Sequence, residues 1–132
     1  MLGPSAHTDT FTRDNLPSGA LQPDFLLDGF DYPRYLNVGY ELTDAMVRDG
    51  FGDHTALIGN GRRRTYKELT DWTNRLANAL VDNYGVVPGN RILIRSGNNP
   101  AFVACWIAAM KVGAVPVNTM PLLRAGELTK VV

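Results

Sequence analysis

The sequence predicts an α/β fold, and three stretches carry that prediction. Residues 88–128 read as turn, strand, turn, apolar helix, strand, turn and helix, which is a β-α-β unit. Such a unit implies two parallel strands joined by a right-handed crossover. Residues 55–66 read as a β-hairpin, and residues 65–80 as an amphipathic helix that opens on a capping box.

Residues 1–35 are rich in Pro, Gly, Asp and Thr, lack sustained periodicity, and are expected to form an extended arm. Phe11, Leu16, Leu21, Phe25, Leu26, Leu27 and Phe30 are too many apolar side chains for a free tail, so the arm should be anchored on a body. In residues 36–49, Leu42, Met46 and Val47 sit at i, i+4 and i+5, predicting an amphipathic helix ended by Gly50 and Gly52. Thr55-Ala56-Leu57-Ile58 is a strand, and Gly59-Asn60-Gly61 is turn chemistry, because Gly and Asn tolerate positive φ. Arg62, Arg63 and Arg64 on the returning strand admit a phosphate-binding reading. The preferred reading is an edge strand whose charge resists edge-to-edge pairing.

Thr65 with Glu68 three residues later forms the capping box. Leu69, Trp72, Leu76 and Leu80 follow at spacings of three and four, predicting the core-facing stripe. Asp71 and Arg75 are placed for an i, i+4 ion pair on the outer face. After Gly85 and the Pro88-Gly89 turn comes a strand, Arg91-Ile92-Leu93-Ile94-Arg95. Asn99 before Pro100 is a helix start, residues 101–110 are unbroken apolar sequence, and Lys111 and Gly113 suit a helix end. A second strand begins at Ala114, and a further helix near Arg124.

Composition bounds the chemistry. With 132 residues there is material for a real core, and 45% apolar against 20% charged residues is ordinary for a globular chain. Thirteen basic residues balance 13 acidic ones, so nothing favours nucleic acid or an anionic membrane as partner. A single cysteine, Cys105, cannot form an internal disulfide, which suits a reducing, cytoplasmic setting. Residues 1–14 hold no apolar core of signal-peptide length, and the longest apolar run is far short of the roughly 20 residues a bilayer span needs.

Motifs for catalysis are absent. Gly59-Asn60-Gly61 opens a partial GxG, but arginines follow it and it lies in a hairpin. His7 and His54 are far apart, with no second His or Cys at metal-ligand spacing, so no metal site is expected. Cys105, between Ala104 and Trp106, reads as a small buried apolar residue rather than a nucleophile, and Phe102 and Trp106 read as core. No catalytic residue is expected in this chain. Arg124 follows a strand end, where open α/β sheets bind ligands, and is the one candidate for a phosphate or carboxylate contact. The plainer reading of Arg124 is a solvated residue in a first helical turn.

The ordered set of blocks carries a resemblance. Thr65-Tyr66-Lys67-Glu68-Leu69, then Asn74-Arg75-Leu76-Ala77-Asn78-Ala79-Leu80, then Gly85-Val86-Val87-Pro88-Gly89-Asn90-Arg91-Ile92 resemble the start of the adenylate-forming (ANL) superfamily, the AMP-forming acyl-CoA synthetases and their relatives. Asn98-Asn99-Pro100, Ala104-Cys105-Trp106 and Thr119-Met120-Pro121-Leu122-Leu123-Arg124-Ala125 are similar to benzoate-CoA and 2-aminobenzoate-CoA ligases, as are arm segments such as Asp9-Thr10-Phe11 and Pro23-Asp24-Phe25. Asn90 stands where the family usually carries Asp. Leu122 stands where some aromatic-acid ligases carry a basic residue that contacts the CoA nucleotide, which leaves Arg124 as the possible CoA contact.

The resemblance implies residues 1–35 as arm and 36–132 as the first part of an AMP-binding domain, with β-α-β units in a doubly wound sheet. It implies ATP, Mg²⁺ and CoA for the parent enzyme, an aromatic carboxylate as substrate, and allows a homodimer. The carboxylate would attack the α-phosphate to give acyl-AMP and pyrophosphate, and the CoA thiol would then displace AMP. The family's Ser/Thr/Gly-rich phosphate loop ending in Lys, its ribose-binding acid and its C-terminal-domain Lys do not occur before Val132. The chain therefore corresponds to an N-terminal quarter, expected to be inactive alone. Two other readings are an adenylate-forming enzyme for a different acyl substrate and a non-catalytic α/β interaction domain.

Overall fold

Two small sheets and the helices that join them make up the computed structural model, which describes residues 5–21, 29 and 32–131. Strands β1 (Thr55–Gly59) and β2 (Arg62–Thr65) form an antiparallel hairpin. Asn60 and Gly61 have φ of 53° and 70°, the two positive values that let a two-residue turn follow the strand twist. The register slips between Thr55 and Leu57, a bulge at the open end. Strands β3 (Arg91–Arg95) and β4 (Val115–Thr119) pair in parallel, from Arg91 opposite Val115 to Arg95 opposite Thr119. The α/β class, the hairpin and the β-α-β unit thus form as expected, each sheet having two strands among the described residues.

The helices are α1 (Phe11–Asp14), α2 (Val38–Glu41), α3 (Asp44–Met46), α4 (Tyr66–Asp82), α5 (Pro100–Lys111) and α6 (Ala125–Leu128). The capping box of α4 is complete: Glu68 N–H donates to Thr65 Oγ1 at 3.2 Å, and Thr65 N–H to the Glu68 carboxylate at 2.9 Å. Asn99 caps α5 by accepting from Phe102 N–H at 2.9 Å, with Pro100 in the first turn. At the other end, Gly113 takes φ 73°.

Helices α4 and α5 pack together over a core of Leu69, Ala104 and Ile107. Ala56, Leu57, Trp72, Leu76, Val103, Trp106 and Met110 close it at lower burial. The predicted stripe on α4 is rotated. The buried positions are Leu69, Thr70, Thr73 and Ala77, while Trp72, Leu76 and Leu80 lie at the margin. Small residues on that face let α4 approach the alanine-rich α5 closely. The polar one that is fully buried, Thr73, donates to Thr70 O at 3.0 Å. Asp71 and Arg75 form no ion pair. Cys105 is half-buried rather than fully buried, because α5 turns Ala104, Ala108 and Ala109 inward instead.

The single helix expected over residues 36–49 is broken. It forms α2 and α3 and then a π-helical turn, Val47–Phe51, within which Gly50 has φ 92°. The cause is tertiary. A Cβ at Gly39 would stand 2.8 Å from Ile107 O and Lys111 N, so α2 presses its backbone on α5. Thr43, fully buried, turns the chain out of α2 and donates from its hydroxyl to Gly39 O at 2.6 Å. Asn37 Nδ2 donates to Lys111 O at 2.9 Å, satisfying a carbonyl at the end of α5. Lys111, its side chain 8% exposed, pairs with Asp44 and donates to Asn74 Oδ1 at 2.6 Å. Burial pushes the Asp44 carboxyl up. Hydrogen bonds from Lys111, Thr43 and Asn74, with the Lys111 charge, outweigh this and hold it below its usual value.

The N-terminal residues dock by polar bonds. Thr8 and Asp9 N–H groups both donate to Pro88 O at 2.9 Å, and the Asp9 carboxylate receives Asn90 Nδ2 at 3.0 Å and Arg91 at 3.2 Å. Gly89 is buried directly beneath Asp9 O, where no Cβ would fit. Of the expected apolar anchors, Phe11 lies under the Arg91 guanidinium, 4.1 Å from ring centre, and Leu21 is 75% exposed. Phe25, Leu26, Leu27 and Phe30 lie outside the described residues.

Candidate functional site at the ends of the parallel strands

Parallel strands present their carboxyl ends at one edge, and the connections leaving them wall a crevice there. In this chain that crevice has a volume of about 330 Å³. Ser96, Gly97 and Asn98 leave β3, Asn118 and Thr119 end β4, and Phe102 reaches in from the first turn of α5, with Met120 and Pro121 as the far wall. Its polar groups are set by local structure. Asn99 Nδ2 donates to Ser96 Oγ at 3.0 Å while its Oδ1 caps α5, so one side chain ties the loop to the helix start. Thr119 Oγ1 is buried with no hydrogen-bond partner, so this hydroxyl on the crevice wall is unsatisfied.

Arg95, opposite Thr119 in the register, holds the loop after β4. Its guanidinium donates to Pro121 O and to Leu123 O, the latter at 2.8 Å. Sequence reasoning missed this residue, which looked like charge closing an apolar strand. Only the parallel register shows that it faces the loop leaving its neighbour. Arg124 lies just past that loop, exposed, ahead of α6, where its N–H donates to the Glu127 carboxylate at 2.9 Å. It is not part of the crevice wall. Leu122, at the position compared above with a basic residue of some aromatic-acid ligases, is 84% exposed.

The remaining candidates are dispersed. His54 is exposed beside Phe51, rings edge-on at 5.3 Å, and its backbone carbonyl accepts from Tyr66 N–H. His7 sits against Gly89. Among the described residues no three His, Cys, Asp or Glu side chains cluster as metal ligands.

Fold and crevice together define an α/β unit of the kind that binds ligands at the carboxyl ends of parallel strands. Comparison with known proteins makes this specific. The family described as AMP-binding enzyme matches residues 45–132, and the chain belongs to that family, within the adenylate-forming superfamily. It is 35% identical over 82 residues to 3-hydroxybenzoate–CoA ligase of Aromatoleum sp. (strain CIB), a match covering 62% of this chain and 16% of that enzyme. It is 37% identical over 88 residues to crotonobetaine/carnitine–CoA ligase of Shigella flexneri serotype 5b (strain 8401), covering 61% of this chain and 17% of that one. Among solved structures, the Klebsiella oxytoca NpsA N-terminal subdomain in complex with anthranilyl-AMSN superposes with a TM-score of 0.64 at 27% identity, covering 76% of this chain and 26% of that one. The matches thus span less than a fifth of the curated relatives' length.

Proposed function

We propose that this chain is the opening section of an ATP-dependent CoA ligase acting on an aromatic carboxylate, benzoate or 2-aminobenzoate. The observation that carries the reading is the family match through residues 45–132. The aromatic substrate is supported by the 3-hydroxybenzoate ligase and by the anthranilyl group bound in NpsA. In the whole protein the carboxylate oxygen attacks the α-phosphorus of ATP and pyrophosphate leaves. The CoA sulfur then attacks the acyl carbon and AMP leaves. The contribution of these residues is positional: Asn99 fixes the β3 loop on α5, Arg95 fixes the loop after β4, and Arg124, on the far side of that loop, is the proposed CoA contact. ATP, CoA and Mg²⁺ are assigned to the whole protein. The unpaired Cys105 suits a cytoplasmic location.

The test is carboxylate-dependent ATP–pyrophosphate exchange with benzoate and 2-aminobenzoate. The 132-residue chain should give none and the longer gene product should give both exchange and acyl-CoA. Exchange by the short chain would refute its inactivity, and a longer product inert with every acid tried would refute the ligase reading. The crotonobetaine/carnitine ligase supports a second reading, an aliphatic acyl substrate, which preference for crotonobetaine over benzoate would establish.

A further inference from the structure

The three consecutive arginines of β2 do not act alike. Residues two apart on a strand share a face. Arg62 and Arg64 therefore line one cleft of about 330 Å³, walled on its other side by Glu68, Asp71, Trp72 and Arg75 of α4, and Arg63 is not in that lining. Glu68 is already committed. It receives Thr65 N–H at 2.9 Å and Arg62 at 2.6 Å, and these bonds, the backbone one first, hold its carboxyl below the usual range. Among the described residues, neither Arg64 nor Arg75 forms an ion pair, and although the Arg64 charge also acts on Glu68, the lining sets three guanidiniums against two carboxylates. Arg64 lies 5.1 Å from the centre of the Trp72 ring, and its Nη1 is buried without a hydrogen-bond partner. A buried charged donor left unpaired is costly, so a turn of the guanidinium that brings this nitrogen to an acceptor in the cleft would relieve it.

We propose that this cleft binds a small phosphate-bearing anion, a phosphomonoester or free pyrophosphate. Guanidinium forks pair two-to-two with phosphate oxygens. With Arg62 held by Glu68, Arg64 and Arg75 supply two forks, which suit a group with three or more terminal oxygens better than a carboxylate with two. Trp72 keeps the Arg64 guanidinium beside the cleft by cation–π contact. The site is separate from the crevice at the strand ends and does not rest on the ligase reading.

The experiment is isothermal titration of the 132-residue chain with sodium pyrophosphate and, separately, with glycerol 3-phosphate and with malonate, at constant ionic strength. Saturable binding of a phosphate compound is expected, weakened at least about tenfold in Arg64→Gln and in Arg75→Gln and unchanged in Arg63→Gln. Arg64→Lys keeps the charge but loses the fork and should also weaken binding. The tighter of the two phosphate compounds identifies the source. Absence of saturable binding, equal loss in Arg63→Gln, or malonate binding as tightly as pyrophosphate would overturn the proposal. Near-ultraviolet circular dichroism checks each variant's fold, and because Arg75 is exposed, Arg75→Gln carries the test if Arg64→Gln misfolds.

Discussion

Asn90 shows how one side chain serves two structures. Its Oδ1 accepts from Val87 N–H at 2.9 Å and shapes the turn, while its Nδ2 holds the Asp9 carboxylate. An aspartate there would keep the turn but set two carboxylates face to face. Asn90→Asp should therefore release the N-terminal segment without unfolding the body, seen as faster hydrogen exchange at the Thr8 and Asp9 amides with the amides of α5 unchanged. The Phe11 N–H bond first, then Asn90 and Arg91, keep the Asp9 carboxyl below its ordinary value, so the clamp holds at neutral pH and opens as pH falls through that lowered pKa. Asp44 is a second such group, packed against Lys111. Asp44→Asn should cost about 2 kcal/mol in urea unfolding at pH 7, between the values for exposed and fully buried pairs. Because the folded Asp44 carboxyl is held below its ordinary value, wild type and variant should converge only as pH falls through that lowered pKa.

Among the elements, those with strong local signals match expectation. The α4 capping box, the Asn60-Gly61 turn and the Asn99-Pro100 start are each written in adjacent residues, and each forms. The α2–α3 segment is the counter-example. Its spacing of apolar residues suits one helix, but contact with α5 admits only glycine at position 39, and Thr43 then turns the chain. Gly39→Ala raises helix propensity locally, so propensity alone predicts stabilisation. The Cβ would meet the Ile107 and Lys111 backbone as well as the Lys111 side chain, and the backbone cannot swing aside, so we expect destabilisation by about 2 kcal/mol, read as a lower urea midpoint. The rotated face of α4 has the same origin. Which stripe faces inward was decided by how closely α5 could approach, and small residues allowed the closest approach.

For the whole molecule, the parallel pair is the telling feature. Parallel strands ordinarily sit in larger sheets covered on both faces, yet here two stand together, with Leu93 39% exposed and Met120 64% exposed just past β4. The chain alone should accordingly bind the apolar dye ANS. A Leu93→Thr, Met120→Ser double variant should lose roughly half or more of that fluorescence if the exposed apolar surface of the strand pair is what the dye binds. Dye binding unchanged by the double variant would place the accessible apolar surface elsewhere.

The sequence by itself determined the class of fold, the hairpin and the β-α-β unit, because turns, caps and apolar periodicity act between neighbours a few residues apart, while the family was legible only as a resemblance of its ordered motif blocks. Tertiary structure alone decided the rest. It broke the helix at Thr43, set the α4 face, and put Arg95 under the loop after β4. Each of these depends on which distant backbone comes within van der Waals or hydrogen-bond reach, and that separation in sequence leaves no local pattern to read.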